Sequence, residues 1–390
     1  MDIKLYTDYL VHILKSAINK TEPEPIPDGI DENEFLQFCA FHKLENIVYL
    51  TIGDKLSEMA QKILSERYNR SVFVSATQQY YLEEVESALN ENGIDYLVLK
   101  GRELVKLYPS EDMRQSADFD IYLGRENAKK AKDIMLGLGF EILSYTDTDE
   151  HDEYIADKVA MCEIHPVLIQ NNHPWQTECN RIPERLIKKE EKSHELKMSN
   201  EDFYLYNLAH TAKHMKYAGI GIRAFLDMWL IYKNYSDSFN WDYLNEKLKL
   251  AKLDEFEKNT RKLCAFWFEG EDADDTICAM ALYVAKSGWV GTKEQEKSTA
   301  LAEAAGNTKS VKAAKLSKMK EMFFAPYSAM VVRYPILKKH KWLLPFCRIH
   351  RALRAIIKRR DVIRDVTNDL ENGDMQTGKA IVALKQKIGL

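Results

Sequence analysis

One stretch of this chain, Tyr96 to Ile121, restricts its fold more than any other. It reads YLVLKG, then a short mixed segment, then MRQSADFDI. The pattern predicts an apolar strand ending in Lys100-Gly101 and a second strand carrying Asp118 and Asp120. Strand side chains alternate between faces, so both carboxylates point the same way. Their Cα atoms would lie roughly 6.5 to 7 Å apart. Two acids held that close repel unless protons or cations neutralise them. Divalent cations, and the phosphates that travel with them, suit such a pair.

Around this stretch the hydrophobic pattern changes period. Residues 1 to about 90 repeat at helical spacing, through Leu10, Ile13 and Leu14 and again from Leu56 to Leu89. The segment EPEPIPDG, Glu22 to Gly29, is a loop between helices. Gly93 is placed to cap the second helical run and lead into a strand from Ile94 to Leu99. There follow a short helix from about Arg102 to Leu107, a loop at Pro109, a strand over 119–123 and a helix from about Glu126 to Leu138. Gly139 caps that helix, a strand begins at Phe140, and another, roughly Lys158 to Ile169, holds CEIHPVLIQ. Ser199 or Asn200 caps the next helix, and helices continue to about Ala285. Gly288-Trp289-Val290-Gly291 breaks the pattern, and the chain turns basic after Gly306. The expected parts are an N-terminal helical segment (1–90), an α/β core (91–195), a helical domain (196–300) and a basic helical C-terminal segment (301–390).

At 390 residues, 45% hydrophobic and 29% charged, the chain can bury a large core. Its net charge of -5 gives no global reason to expect nucleic-acid binding. No apolar run is long enough to span a bilayer, and the N-terminus has no signal-peptide pattern. Six cysteines are scattered with no CxxC. That argues against a zinc site and a disulfide framework, and for a reducing cytoplasmic compartment.

Asp118 and Asp120 need a third acid to hold two ions, and Glu163 is the best candidate, in an otherwise apolar run. Nucleotidyl transfer needs a hydroxyl deprotonated beside an anionic phosphate. Two divalent ions about 3.5–4 Å apart can hold the attacking oxygen on one side and the triphosphate on the other. Mg²⁺ takes oxygen ligands and is held by a few carboxylates plus substrate phosphates. Gly101, between strand and helix, offers free backbone N–H groups and close approach to a phosphate. Lys100 would add positive charge.

These residues carry a resemblance. LVLKG, LYP, MRQSADFDIYL and CEIHPVL are similar to the nucleotidyltransferase-fold proteins of the DNA polymerase β superfamily, in the branch of uncharacterised nucleotidyltransferases. Lys100-Gly101, Leu107-Tyr108-Pro109, Arg114, Asp118, Asp120, Glu163 and His165 fall in the order of that branch. HTAKH (His210 to His214), Gly221-Ile222-Arg223, Asp227 and the late stretch FFAPYSAMVVRYPILKKHKWLLP extend the likeness over most of the chain after about residue 75. The resemblance implies an α+β fold: a polymerase β-like core of mixed sheet and helices, flanked by N-terminal and C-terminal helical segments. It implies transfer of a nucleoside monophosphate from an NTP to an acceptor hydroxyl with release of pyrophosphate. Asp118 and Asp120 would ligate two Mg²⁺ ions. Glu163 would ligate the catalytic one and help deprotonate the acceptor. The superfamily has Gly-Ser where this chain has Lys100-Gly101, a departure that the branch shares.

Other residues leave alternatives open. His210 and His214 share a helix face. They read either as a metal or phosphate site or as two hydrogen-bonded histidines; Thr211 excludes HExxH chemistry. Lys213, Lys216 and Arg223 are placed to bind phosphate oxygens, with Asp227 orienting or pairing Arg223. His165 contacts substrate, orders a metal-bound water, or bonds a carboxylate. Arg114 neutralises Asp118 or holds the loop. The basic tail from Lys338 to Arg364, with Trp342, Leu343, Leu344 and Phe346 interleaved, reads as a contact with an anionic membrane surface or large anionic substrate, or as a solvated helix face. The acceptor is not written in the sequence. Toxin-like modification of tRNA or protein, and non-catalytic nucleotide binding, remain rival functions.

Overall fold

The computed structural model describes residues 1–145, 151–170, 173–305, 327, 330, 334–338, 340–350 and 375–390. The chain forms two compact units, one of residues 1–216, 220–290 and 388–390, the other of 217–219 and 291–387.

The first unit opens with helices α1 (Ile3–Asn19), α2 (Glu32–Phe41), α3 (Glu45–Ile52) and α4 (Glu58–Glu91). Asp2, Asp31 and Ser57 cap α1, α2 and α4 by accepting backbone N–H bonds. Gly93 takes the left-handed conformation (φ 66°) expected of a helix terminator. The sheet comprises β1 (Leu97–Leu99), β2 (Phe119–Tyr122), β3 (Glu141–Ser144), β4 (Asp152–Ala156) and β5 (Ala160–His165), in the order β1-β2-β5-β4-β3. Only β2 and β5 run parallel. Helices α5 (Gly101–Val105) and α6 (Gly124–Gly137) fill the connections.

Alternation decides the two faces. In β5, Ala160, Cys162 and Ile164 are buried while Met161, Glu163 and His165 are half-buried. The buried set joins Phe119, Ile121 and Val98, with Leu82, Val85 and Leu89 of α4 and Ala128, Ala131 and Met135 of α6, in one core. Helices therefore cover one face of the sheet, and the polar residues of β2 and β5 stand on the other.

Two local expectations need correction, and one strand was not foreseen. Asp118 immediately precedes β2 rather than lying on it. The strand expected over 158–169 is a hairpin arm that stops at His165, before Pro166, whose ring nitrogen has no proton to donate. Its partner β4 is not evident from the sequence, because the turn uses Asp157 and Lys158, both at positive φ, in place of glycine.

A short helix α7 (Gln176–Cys179) and a two-stranded ribbon, β6 (Ile187–Lys188) with β7 (Leu196–Lys197), lead to α8 (Asn200–Tyr217), α9 (Ile222–Tyr235), α10 (Trp241–Ala251), α11 (Asp254–Cys264) and α12 (Asp275–Ala285). A π-helical turn, Ala265–Glu269, follows α11. Ser199 caps α8 through the Asp202 N–H.

In the second unit α13 (Lys293–Ala305) packs against α14 (Met375–Lys387). A Cβ on Gly378 would collide with the Ser298 carbonyl oxygen, so the two backbones touch there. Trp342, Phe346 and Ile349 are exposed. Lys339, Arg351, Arg354, Lys358, Arg359, Arg360 and Arg364 of the basic tail lie outside the described residues. Among the described residues no helix is long and apolar enough to cross a membrane, and the six cysteines are free.

Candidate active site

The loop before β2 is fixed from several sides. Asn46 of α3, 2% exposed, donates to the Asp112 carbonyl at 2.7 Å and accepts from Gln115 Nε2 at 2.6 Å. Tyr68 of α4 donates to Asp112 Oδ2 at 2.9 Å. Arg114 makes a two-pronged contact with Asp227 of α9, Nε to Oδ1 at 2.9 Å and Nη2 to Oδ2 at 3.1 Å. The Tyr108 hydroxyl donates to the same Oδ1 at 2.7 Å. Arg223 donates to the Gln115 carbonyl at 2.7 Å. Among the described residues the hydrogen-bond partners of Asp227 are thus Arg114 and Tyr108, not Arg223, and the Arg114 pair ties the loop to α9. Burial works against the Arg114 charge, and Asp227 more than offsets it, keeping the guanidinium protonated.

Across the sheet, Asp120 is directly opposite Glu163, and Glu163 is opposite Glu153. Opposed residues share a face, so three carboxylates stand in one row. His165 lies between two of them, with Nε2 2.8 Å from Asp120 Oδ1 and 3.3 Å from Glu163 Oε2. Those three residues form a close group of potential ligands to which Asp118 does not belong. Asp118 borders the same cavity, and burial, with Asp120 and Glu163 nearby, raises its carboxyl to about 6. Burial also disfavours the Asp120 charge, but Lys100 and the bond from His165 hold that carboxyl well below its usual value. The same bonds raise His165 against its burial.

Lys100, Gly101, Arg114, Asp118, Asp120, Glu163, His165, His210, Lys213, His214 and Arg223 all line one cavity of about 290 Å³. Lys100 occupies a left-handed position (φ 44°), a conformation that is costly for a residue with a side chain. Its Nζ lies 3.8 Å from Asp120 Oδ2. Gly101 needs neither positive φ nor extra room: an added Cβ would meet only Ser116 Oγ, at 3.5 Å.

Helix α8 supplies the facing wall through Tyr206, Asn207, His210, Thr211, Lys213 and His214, a stripe at helical spacing. His210 and His214 hydrogen-bond to each other, Nε2 to Nε2 at 3.2 Å. Burial, with Lys100 close by, keeps both neutral and lowers His214 to about 4. Among the described residues, Lys213 has neither an ion-pair nor a hydrogen-bond partner, and Arg223 has no carboxylate partner. Burial lowers the pKa of both, assisted by Lys100 for Lys213 and by Arg114 for Arg223.

The structure adds residues that sequence reading did not single out. Trp289 lines the cavity, with Lys43 Nζ 3.9 Å and Arg223 Cζ 5.6 Å from its ring centroid. The Trp289 backbone N–H donates to the Phe41 carbonyl at 3.0 Å. His151 and Gln170 also line the cavity. His151 directly precedes the hairpin arm that the sequence did not reveal. Lys43 and Trp289 sit in turns, where no periodicity announces a burial partner.

No curated protein and no solved structure matches the chain. Residues 28–269, more than half of it, match the family described as uncharacterised nucleotidyltransferase. The match begins well before residue 75 and ends short of the stretch FFAPYSAMVVRYPILKKHKWLLP. With its mixed sheet, its row of acids and its facing cations, the chain belongs to the uncharacterised nucleotidyltransferase family.

Proposed function

We propose that the protein transfers a nucleoside monophosphate from an NTP to an acceptor hydroxyl in a Mg²⁺-dependent reaction. The observation that carries this reading is the row of Asp120 and Glu163 in one cavity with Lys213 and Arg223, two cations that have no carboxylate partner among the described residues. Asp118, Asp120 and Glu163 all line the cavity and offer oxygen donors, so the donor set fits Mg²⁺. Bound there, Mg²⁺ would neutralise phosphate oxygens and ease deprotonation of the acceptor.

The chain's own groups account for the rest. Lys213 and Arg223 bind triphosphate oxygens, with Lys100 and Gly101 lining the same cavity. The neutral pair His210 and His214 offers one free N–H without adding charge. Glu163 accepts the acceptor's proton, and His165 fixes Glu163 and Asp120 in place. The acceptor oxygen bonds to the α-phosphorus, the bond from that phosphorus to the bridging oxygen breaks, and pyrophosphate leaves.

Titration calorimetry with the four NTPs, with and without Mg²⁺, tests the reading. Binding should require Mg²⁺ and fall at least tenfold in Asp118→Ala. Metal-independent binding that Asp118→Ala leaves untouched would sink it.

A further inference from the structure

The row of carboxylates extends one strand beyond the residues used above. Glu153 of β4 lies directly across from Glu163 of β5, so two like charges face each other on one side of the sheet. Such a pair destabilises an antiparallel ladder unless something positive sits between its members. Among the described residues no lysine or arginine pairs with either; their close neighbours are histidines. His151 Nε2 lies 3.3 Å from Glu153 Oε1 and 3.7 Å from Glu163 Oε2. One ligand atom from each of the three residues falls within 4.8 Å of the other two. A tetrahedral ion with bonds of about 2.1 Å separates its ligands by roughly 3.4 Å. The two His–Glu separations bracket that value. Behind the ring, His151 Nδ1 is 3.1 Å from the Gln170 side-chain amide. The atom facing Nδ1 is the amide nitrogen Nε2; an end-for-end turn of that amide on metal binding would bring its oxygen there, so that Nδ1–H donates and the His151 Nε2 lone pair is free, the outer support usual for a metal-bound histidine.

We propose that His151, Glu153 and Glu163 form a metal position distinct from the Asp118–Asp120 site, which takes a first-row divalent transition ion such as Zn²⁺ in preference to Mg²⁺. The imidazole donor sets the preference: Mg²⁺ is held almost wholly by oxygen, whereas zinc accepts mixed nitrogen and oxygen sets. The ligands are imidazole and carboxylate, so the lack of paired cysteines does not bear on this site. Glu163 is shared between the two positions, and an ion at His151 would orient its carboxylate toward Asp120. Only that orienting role rests on the transferase reading; the binding itself does not.

Equilibrium dialysis of the full chain against Zn²⁺, in excess Mg²⁺ and without nucleotide, tests the site. The wild type should retain one Zn²⁺. Glu153→Gln, which keeps the side chain's shape, and His151→Ala should each weaken retention at least tenfold, the lower end of the usual cost of disturbing such a site. Asp118→Ala should leave Zn²⁺ retention unchanged while weakening Mg²⁺-dependent NTP binding. Co²⁺ in place of Zn²⁺ should give a visible absorption band that His151→Ala removes. Equal retention by wild type, Glu153→Gln and His151→Ala overturns the proposal, as does displacement of Zn²⁺ by Mg²⁺. Either result leaves NTP binding, and so the transferase reading, standing.

Discussion

Truncating Asp227 tests how the acid-bearing loop is held. Asp227 receives three hydrogen bonds, two from Arg114 and one from the Tyr108 hydroxyl, all in buried surroundings. Asp227→Ala leaves the Arg114 guanidinium, in a residue 9% exposed, without its carboxylate. Breaking a buried pair by removing one partner costs about 3–5 kcal/mol. The stranded Tyr108 hydroxyl adds about 1 kcal/mol, and because the losses overlap, a total of about 4 kcal/mol is expected. At roughly 2–4 °C per kcal/mol for a unit of this size, the midpoint should fall by about 8–16 °C. Urea unfolding followed by circular dichroism reads the loss directly. Tyr108→Phe should cost about 1 kcal/mol alone. The double variant Arg114→Met, Asp227→Leu should recover part of the loss, since an apolar pair removes both charges together. A loss below about 1 kcal/mol in Asp227→Ala, or a double variant no more stable than the sum of its singles, would refute the claim that this pair anchors the loop.

Four further outcomes can be measured. Lys100→Gly should weaken NTP binding, because the cavity loses a cation for the triphosphate, with little net change in stability, since relief of the left-handed backbone, about 1 kcal/mol, offsets loss of the ammonium beside Asp120; Gly101→Ala should keep the fold, and unchanged NTP affinity in that variant would show that phosphate does not approach there. His42 is fully buried, with Nδ1 accepting from the Ile222 N–H at 3.3 Å and Nε2 3.1 Å from the Ala285 carbonyl, and burial lowers it from 6.5 to about 4 despite that carbonyl. The unfolded chain therefore binds a proton that the folded one refuses, so stability is whole above about pH 6.5 and drains away toward pH 4; between pH 7 and 5 the wild type should lose about 2 kcal/mol more than His42→Gln, and parallel curves would contradict this. Trp289→Ala should weaken tripolyphosphate binding about fivefold by releasing Lys43 and Arg223 from its ring, on the order of 1 kcal/mol, and unaltered affinity would make the ring a packing residue only.

The sequence made the acids legible because their chemistry is local. Asp120 sits in an apolar strand pattern and so does Glu163, which marks both as strand acids; their shared face comes from the register of β2 with β5, and Asp118, just before β2, reaches the cavity from the loop. The helical stripe of α8 likewise places His210, Lys213 and His214 together. Long-range partners were not legible. Nothing near Asp227 distinguishes Arg114 from Arg223 as its companion, and the choice is made by the approach of α9 to the loop before β2. The hairpin arm β4 was hidden because Asp157 and Lys158 make its turn without glycine, and with it went Glu153 and the setting of His151. Trp289 read as an interruption between two glycines, although its backbone contact with Phe41 fixes it at the cavity wall.

The pairing of Asp120 with Glu163 ties competence to folding itself. Were β5 to slide by one residue along β2, Glu163 would enter the core beneath α4 and α6, and Cys162 or Ile164 would take its place in the cleft. Such a chain would lose its acid and its apolar layer in one step. Activity and stability would therefore fail together in a mis-registered molecule.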